Sequence, residues 1–465
     1  MSFNIEGSLY ELVARGNKDV YFIDDAKTAK NLFDTRYGPT PPHLHEIRRL
    51  PPLNTADFGR SFEFQIEMAG DVFIEPTLLI DLPSWLPPTQ TSLNPQSVVT
   101  DIGGVSYGYT NGIGFFMFEK IQLLQDNILL QEFSGDALWA TSRSRGSLNS
   151  ALLDNKVTGI HDGSQLSIAR AATPGRLRLQ LPLLGCQGSD DGGFPAYSTP
   201  QQTYRLRCFL RRLEDLVEAS DGQAKPTPWS STLQIQSSRN GPIQTFTTLD
   251  RSAIGTPTVI LETRHVYMDG ETQQAMKKGK QEIPFERLYE NVYSQSQNDY
   301  TPIARGAVAS ITRRLEGVHP TSRIVSFFRS SSSLQSNQLW NLTNTPSNPS
   351  FYTNLKLLVA GRDRESLFSP FIWKTLVSHA KSERDPGLEL ITMDWTLGDV
   401  RNPSLIQRQR QRQPDGTINM STADRPTFLI QLEAAATNKT ELRVIVETWA
   451  TCVAENQRIS LLYAN

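Results

Sequence analysis

What the 465-residue chain lacks narrows its reading first. It has three cysteines, Cys186, Cys208 and Cys452. An odd number at wide spacing makes neither a disulfide framework nor a zinc ligand set, and the three read as reduced, mostly buried thiols in a chain that folds in the cytosol. There are six histidines, His43, His45, His161, His265, His319 and His379, and none falls into an H-E-x-x-H or comparable metal-binding cluster. No G-x-S-x-G nucleophile elbow and no G-x-x-x-x-G-K-[ST] phosphate loop occurs. Charge of one sign is missing as well. The net charge is -2, so there is no basic excess with which to neutralise a phosphate backbone, and direct nucleic-acid binding is not expected. No stretch approaches the ~20 apolar residues that span a bilayer. The opening MSFNIEGSLYELVARGNKD lacks the basic-then-apolar order of a secretory signal. The sequons at Asn341, Asn419 and Asn438 are therefore expected to stay unmodified.

What is present is β-punctuation. The 28 prolines and 30 glycines are spread along the chain and cut it into short runs, as in an all-β protein with many turns. SFEFQIEM (Ser61–Met68) alternates strictly, with Phe62, Phe64, Ile66 and Met68 on one face; that is a half-buried strand. A Gly70-Asp71 turn leads into VFIEPTLLIDLP, and Ile113–Phe133 reads as two strands hinged at Asp126–Asn127. RLRLQLPLL (Arg176–Leu184) and TYRLRCFLRRL (Thr203–Leu213) alternate again. Further strands are expected at Pro257–Met268, Arg323–Arg329, Asn354–Gly361, Leu388–Leu397, Arg425–Glu433 and Glu441–Ala454. Ser134–Pro174 reads as polar, with a short helix near Ser150–Leu153. The division that follows is an N-terminal arm over 1–54, a first β domain over 55–220, a linker over 221–255 and a second β domain over 256–465.

Three segments invite a chemical reading. His43-Leu44-His45-Glu46 resembles half of a cupin metal motif, but in an extended strand Glu46 points away from both histidines. In QRQRQRQ (Gln407–Gln413), Arg408, Arg410 and Arg412 would share a strand face; the readings are an anion contact or a solvated rim that meets an acidic neighbour. Ser330–Ser333 reads as a flexible loop. A paired-carboxylate glycosidase is the enzyme reading that spacing leaves open, and it predicts a deep, aromatic-lined pocket. No residue is nominated as catalytic, cofactor-binding or metal-ligating.

Several segments in order resemble the major capsid proteins of nucleocytoplasmic large DNA viruses: SLYELVARGNKDVYF (Ser8–Phe22), GDVFIEPTLLIDLP (Gly70–Pro83), FEKIQLLQDNILLQEFSGDAL (Phe118–Leu138), VYMDGETQQAM (Val266–Met276) and LKLLVAGRDRESLF (Leu355–Phe368). The sharpest match is QPDGTINMSTADRPTFLIQL (Gln413–Leu432), where Gln413, Pro414, Gly416, Thr417, Asn419 and Ser421 keep the family's order; Met420 stands where the family has Phe. The resemblance implies an all-β chain of two consecutive eight-stranded jelly rolls with an N-terminal arm. It further implies a homotrimer of pseudo-hexagonal outline that tiles an icosahedral shell, with minor capsid proteins or an internal membrane on its inner face. The protein would reside in the virion, be assembled in the host cytoplasm, and have no enzymatic activity. A minor or scaffolding capsid paralogue, and a carbohydrate-binding or carbohydrate-processing β-sandwich, are the alternatives. Lateral contacts are expected at Trp85-Leu86-Pro87, at Phe371-Ile372-Trp373 and at the Arg408–Arg412 loop.

Overall fold

The computed structural model describes residues 43–86, 98–145, 176–186, 193–199, 202–236, 240–277, 280–295, 309–344, 349–363, 367–377, 389–395, 416–421, 425–432, 440–455 and 458–462. Expectations for the arm before residue 43, for the helix near Ser150–Leu153 and for Arg408, Arg410 and Arg412 lie outside the described residues.

The first eight principal strands are β1 (His43–Leu50), β2 (Ser61–Ile66), β3 (Val72–Asp81), β4 (Phe118–Gln125), β5 (Ile128–Phe133), β6 (Leu177–Gln180), β7 (Tyr204–Leu210) and β8 (Thr258–Met268). They pair into two four-stranded sheets, β1-β8-β3-β6 and β2-β7-β4-β5. The second eight are β9 (Gln281–Gln295), β10 (Ser310–Arg314), β11 (Pro320–Ser330), β12 (Tyr352–Val359), β13 (Arg362–Asp363), β14 (Leu390–Asp394), β15 (Thr427–Leu432) and β16 (Thr440–Glu455). Their sheets are β9-β16-β11-β14 and β10-β15-β12-β13. Counting strands from the start of each set, both halves read first-eighth-third-sixth and second-seventh-fourth-fifth. Every pairing between these strands is antiparallel. The chain thus winds the same roll twice.

Alternation makes the first-half strands. On β7, Tyr204, Leu206, Cys208 and Leu210 are buried while the residues between them are half-buried; on β2, Phe62, Phe64 and Ile66 are buried. The β4–β5 hairpin turns at Asp126 (φ 47°) and Asn127 (φ 71°), the pair of left-handed residues that a two-residue hairpin loop demands. Asp126 Oδ1 also accepts from Thr203 N and Thr203 Oγ1, both at 2.9 Å.

The structure corrects several expectations. Thr258–Met268 does not open the second roll; it inserts between β1 and β3 and closes the first. The expected linker carries strands of its own, Thr232–Gln236 and Ile243–Thr247, which form a small sheet with Val98–Asp101. Ile113–Phe116 is one helical turn rather than strand. His43–Leu50, expected as part of the arm, is β1; it and β9 are edge strands. Among the described residues β1 has no fully buried position to mark it in the sequence, and the edge position of β9 accommodates Pro284. Ser330–Ser333 is ordered: Ser330 caps the turn Ser331–Gln335, its Oγ accepting from Ser333 N at 3.0 Å.

The apolar interior forms two clusters. One fills the first roll and extends to Phe285, Val325, Phe327, Ile445 and Cys452 of the second. The other lies inside the second roll and includes Ile324, Phe328, Leu442, Val444 and Val446. The strands β11 and β16 therefore contribute to both, one face to each. A sheet covered on both sides reads as a nearly continuous apolar run, which is why RIVSFF and VIVETWATCVA show so little polar alternation.

Candidate functional site

The place where chemistry and architecture meet is the junction between the rolls. The helix α1 (Gly135–Arg145) follows β5. Ser134 Oγ accepts from Ala137 N at 2.9 Å and caps its start. Gly135 is required there: a Cβ would collide with the carbonyl oxygens of Phe115 and Phe118. The face of α1 bearing Asp136, Trp139 and Ser144 lies along the back of β11. Asp136 meets Arg329, Trp139 packs edge-on to Phe327 with ring centroids 6.1 Å apart, and Ser144 receives a hydrogen bond from Arg323. Residues 323, 327 and 329 share one strand face, and 136, 139 and 144 one helix face. A helix of the first roll is thereby keyed to a sheet of the second.

Asp136, fully buried, is the hub. Its carboxylate accepts from Arg211 Nη2 at 2.5 Å, Arg329 Nη2 at 2.7 Å and Arg443 Nη1 at 2.9 Å. Arg443 also donates to Glu290 Oε1 at 2.6 Å and to Glu441 Oε1 at 2.5 Å. Glu441 Oε1 lies 3.6 Å from Arg329 Nη1. Three guanidiniums thus face three carboxylates. The Arg329 guanidinium is also sandwiched near Phe327 and Phe116, at 5.2 and 5.8 Å from their ring centroids. Burial alone would push the Asp136 carboxyl up; the charges of Arg211, Arg329 and Arg443 outweigh it and hold the group well below the usual carboxylate range.

Further hydrogen bonds continue the junction. Gln131 accepts from Leu184 N at 2.6 Å and donates to the Glu286 carbonyl at 3.1 Å, bridging β5 to β9. Asn337, at φ 60°, donates to the carbonyls of Glu214 and Val217 at 2.7 and 2.6 Å. Trp340 Nε1 donates to Glu218 Oε2 at 2.9 Å.

A cleft of about 720 Å³ opens beside this junction. Among its described lining residues Phe133 alone is aromatic, and two of its four carboxylates are engaged, Glu132 by Lys120 at 3.2 Å and Gln122 at 2.6 Å, and Glu290 by Arg443. That lining differs from the aromatic pocket with convergent carboxylates that a glycosidase would present. On β1, the His43 and His45 rings stand 4.8 Å apart. Glu46 instead takes hydrogen bonds from Tyr267 Oη at 2.7 Å and Arg48 Nε at 3.1 Å. The histidines and the glutamate therefore do not converge.

Two sequence-nominated surfaces are redrawn. Trp85, Leu86 and Trp373 are interior residues, so they serve the core and not a lateral contact; Pro87 lies outside the described residues. Trp373 is pinned by its Nε1 bond to the Leu355 carbonyl at 3.1 Å and by an edge-on contact with Phe368. Phe371, two residues earlier, remains 64% exposed. The motif Gly416–Ser421 staples a loop to β11. Ile418 and Asn419 pair with Thr321 and Pro320, Asn419 Oδ1 accepts from Ser421 N, and Ser421 Oγ accepts from His319 N, both at 2.9 Å. The helix α1, and with it Asp136, was not legible. Its docking face is an acid, a tryptophan and a serine, which do not make an apolar stripe; the capping serine at 134 is the signal that marks its start.

No protein-family model matches the chain and no curated sequence matches it. Solved structures do. The chain is similar to the VP54 protein of PBCV-1, as fitted into a reconstruction of the virophage Sputnik, with a TM-score of 0.68 at 13% identity over 94% of this chain and 100% of that one. It is similar to the Faustovirus major capsid protein, with a TM-score of 0.63 at 10% identity over 94% of each chain. A chain of the Sputnik virophage structure gives 0.51 at 10% identity, over 95% of this chain and 93% of that one. This is the double jelly-roll fold of viral capsid proteins. In the double jelly roll described here, Asp136 and its arginines sit at the seam between the rolls, and the seam fixes how one roll is set against the other.

Proposed function

We propose that the chain is a major capsid protein of a large double-stranded DNA virus, a shell building block and not an enzyme. The observation that carries this reading is the same eight-strand winding made twice along the chain, with the back of the second roll's β11–β16 sheet buried against the first roll. That is a rigid two-roll block rather than two tethered domains. Three such blocks around a threefold axis present six similar rolls, an outline that tiles a flat facet. The rolls divide after Met268, and α2 (Gly270–Lys277) connects them. The outward faces suit lateral packing in water. They carry ladders of opposite charge, such as Arg207–Glu63 at 2.6 Å, Arg176–Asp81 at 2.7 Å and Arg49–Glu262 at 2.9 Å. Phe371, presented by a segment anchored through Trp373, is a candidate lateral contact. Minor capsid proteins on the inner face, residence in the virion and assembly in the host cytoplasm belong to the same reading.

Light scattering of the purified protein, with negative-stain microscopy of the same sample, tests it. The expected result is a trimer with roughly hexagonal projections. A stable monomer at micromolar concentration overturns the reading.

A further inference from the structure

His265 lies on β8 with no exposed surface. Its Nε2 is 3.0 Å from Thr263 Oγ1, and its Nδ1 has no hydrogen-bond partner among the described residues. The ring packs on Phe73, with centroids 5.7 Å apart. Three segments close around it. Glu46 of β1 and Phe73 of β3 are its register partners on either side. The backbone of Gly70 comes so near that a Cβ there would stand 2.9 Å from His265 Cβ. A neutral imidazole satisfies this pocket with its single bond to Thr263. An imidazolium carries two N–H donors, and the second would be buried without an acceptor.

The charged groups around the ring do not favour an imidazolium. On β1, Arg48 is positive, and it binds Glu46 at 3.1 Å and Glu67 at 3.2 Å. On the segment between β2 and β3, Glu67 is thus engaged, and Asp71 accepts from Met268 N at 2.7 Å and from Gln273. On β8 itself, Tyr267 donates to Glu46, and Arg264 pairs with Glu75 at 3.3 Å. Every nearby carboxylate already has a partner, and none of these bonds reaches His265.

We propose that His265 is an acid-sensitive lock on the first roll, whose protonation at mildly acidic pH releases β1 and the Gly70–Asp71 turn from β8. The strand β1 is the element that yields, because among the described residues it is an edge strand hydrogen-bonded to β8 alone in its sheet. Burial, reinforced by Arg48 and opposed by Glu46 and Glu67, places the titration of His265 below its ordinary value of 6.5. The unfolded chain then binds this proton more readily than the folded one. The stability due to the neutral ring is complete above the unfolded value and is lost as pH falls from there towards the folded value.

The direct measurement is hydrogen–deuterium exchange at the imidazole C2 position of the full chain, followed against pH by mass spectrometry. His265 is expected to titrate below 6.5; a midpoint at or above it overturns the proposal. A second arm compares thermal midpoints at pH 7.5 and 5.5 for the native protein, His265→Gln and His265→Phe. On acidification the native protein is expected to lose roughly 2–4 °C more than either variant. Amide exchange over 43–50, corrected for intrinsic rate, is expected to accelerate in the native protein alone. Equal losses in all three proteins overturn the proposal. If neither variant folds, the C2 titration of the native chain still decides. None of these readouts depends on whether the protein forms shells.

Discussion

Replacing Asp136 with asparagine keeps the side-chain shape and removes the charge that Arg211, Arg329 and Arg443 share. Three guanidiniums would then face two carboxylates in a buried site. Breaking a buried ion pair on one side costs about 3–5 kcal/mol, and Asp136→Asn is expected to lower the denaturant midpoint accordingly. Because the Asp136 carboxyl is held below its ordinary 3.8, its contribution is complete above the unfolded value and is lost only as pH falls further. Acid titration of stability should therefore show a limb below about pH 4 that is flatter in Asp136→Asn. This window is distinct from that of His265, which lies between neutrality and mild acid. Gly135→Ala is a steric case: the added methyl meets two backbone carbonyl oxygens, which cannot rotate away as a side chain would. Its expected cost is at the upper end of the roughly 1–3 kcal/mol of an overpacked core, read by chemical denaturation.

At the scale of elements, the β4–β5 hairpin is set by its turn. Asp126 and Asn127 both occupy left-handed backbone, which a β-branched residue resists. Asn127→Val should destabilise by roughly 1–2 kcal/mol, whereas Asn127→Gly should be neutral or slightly stabilising, as equilibrium unfolding would show. The turn, the alternation of β2 and β7 and the apolar runs of β11 and β16 were all legible, because each is a local pattern with a local cause. The edge strands β1, β9 and β10 were not. Edge position alone is not the cause, since β2 is also an edge strand and alternates clearly; the burial of β1 runs from exposed to half-buried with no fully buried position. The helix α1 was hidden for a related reason: its partner is a charged seam, so its face carries no apolar period.

For the whole molecule, the shared sheet has a thermodynamic consequence. Val325, Phe327 and Ile445 belong to the first roll's core while Ile324, Phe328 and Val444 belong to the second's. Neither core is complete without β11 and β16, so calorimetry should record one cooperative transition for the native chain. Arg329→Met removes charge at the seam but leaves the shared sheet and the Asp136–Arg211 and Asp136–Arg443 pairs in place, so it is expected to shift the midpoint of that single transition without splitting it. Self-association is testable at the same scale. Phe371→Glu should weaken it by about 30-fold, the effect of losing a hot-spot anchor, while leaving the thermal midpoint of the isolated chain unchanged, since the side chain is largely in solvent. Sedimentation equilibrium reads the first effect and calorimetry the second.

The sequence by itself determined that this is a strand-rich chain of two similar halves, without a convergent catalytic cluster in its motifs and with a capsid-like order of segments. The first two follow from period, punctuation and spacing, which are local properties; the last is a resemblance to a family. Only the tertiary structure decided where one roll ends and the next begins, because Thr258–Met268 is placed by its pairing with β1 and β3 and not by its position in the chain. It also decided that Trp85 and Trp373 are core residues and that Asp136 is a hub. Its partners come from positions 211, 329 and 443, far apart in the chain, and only the docking of one roll on the other brings them to a single carboxylate.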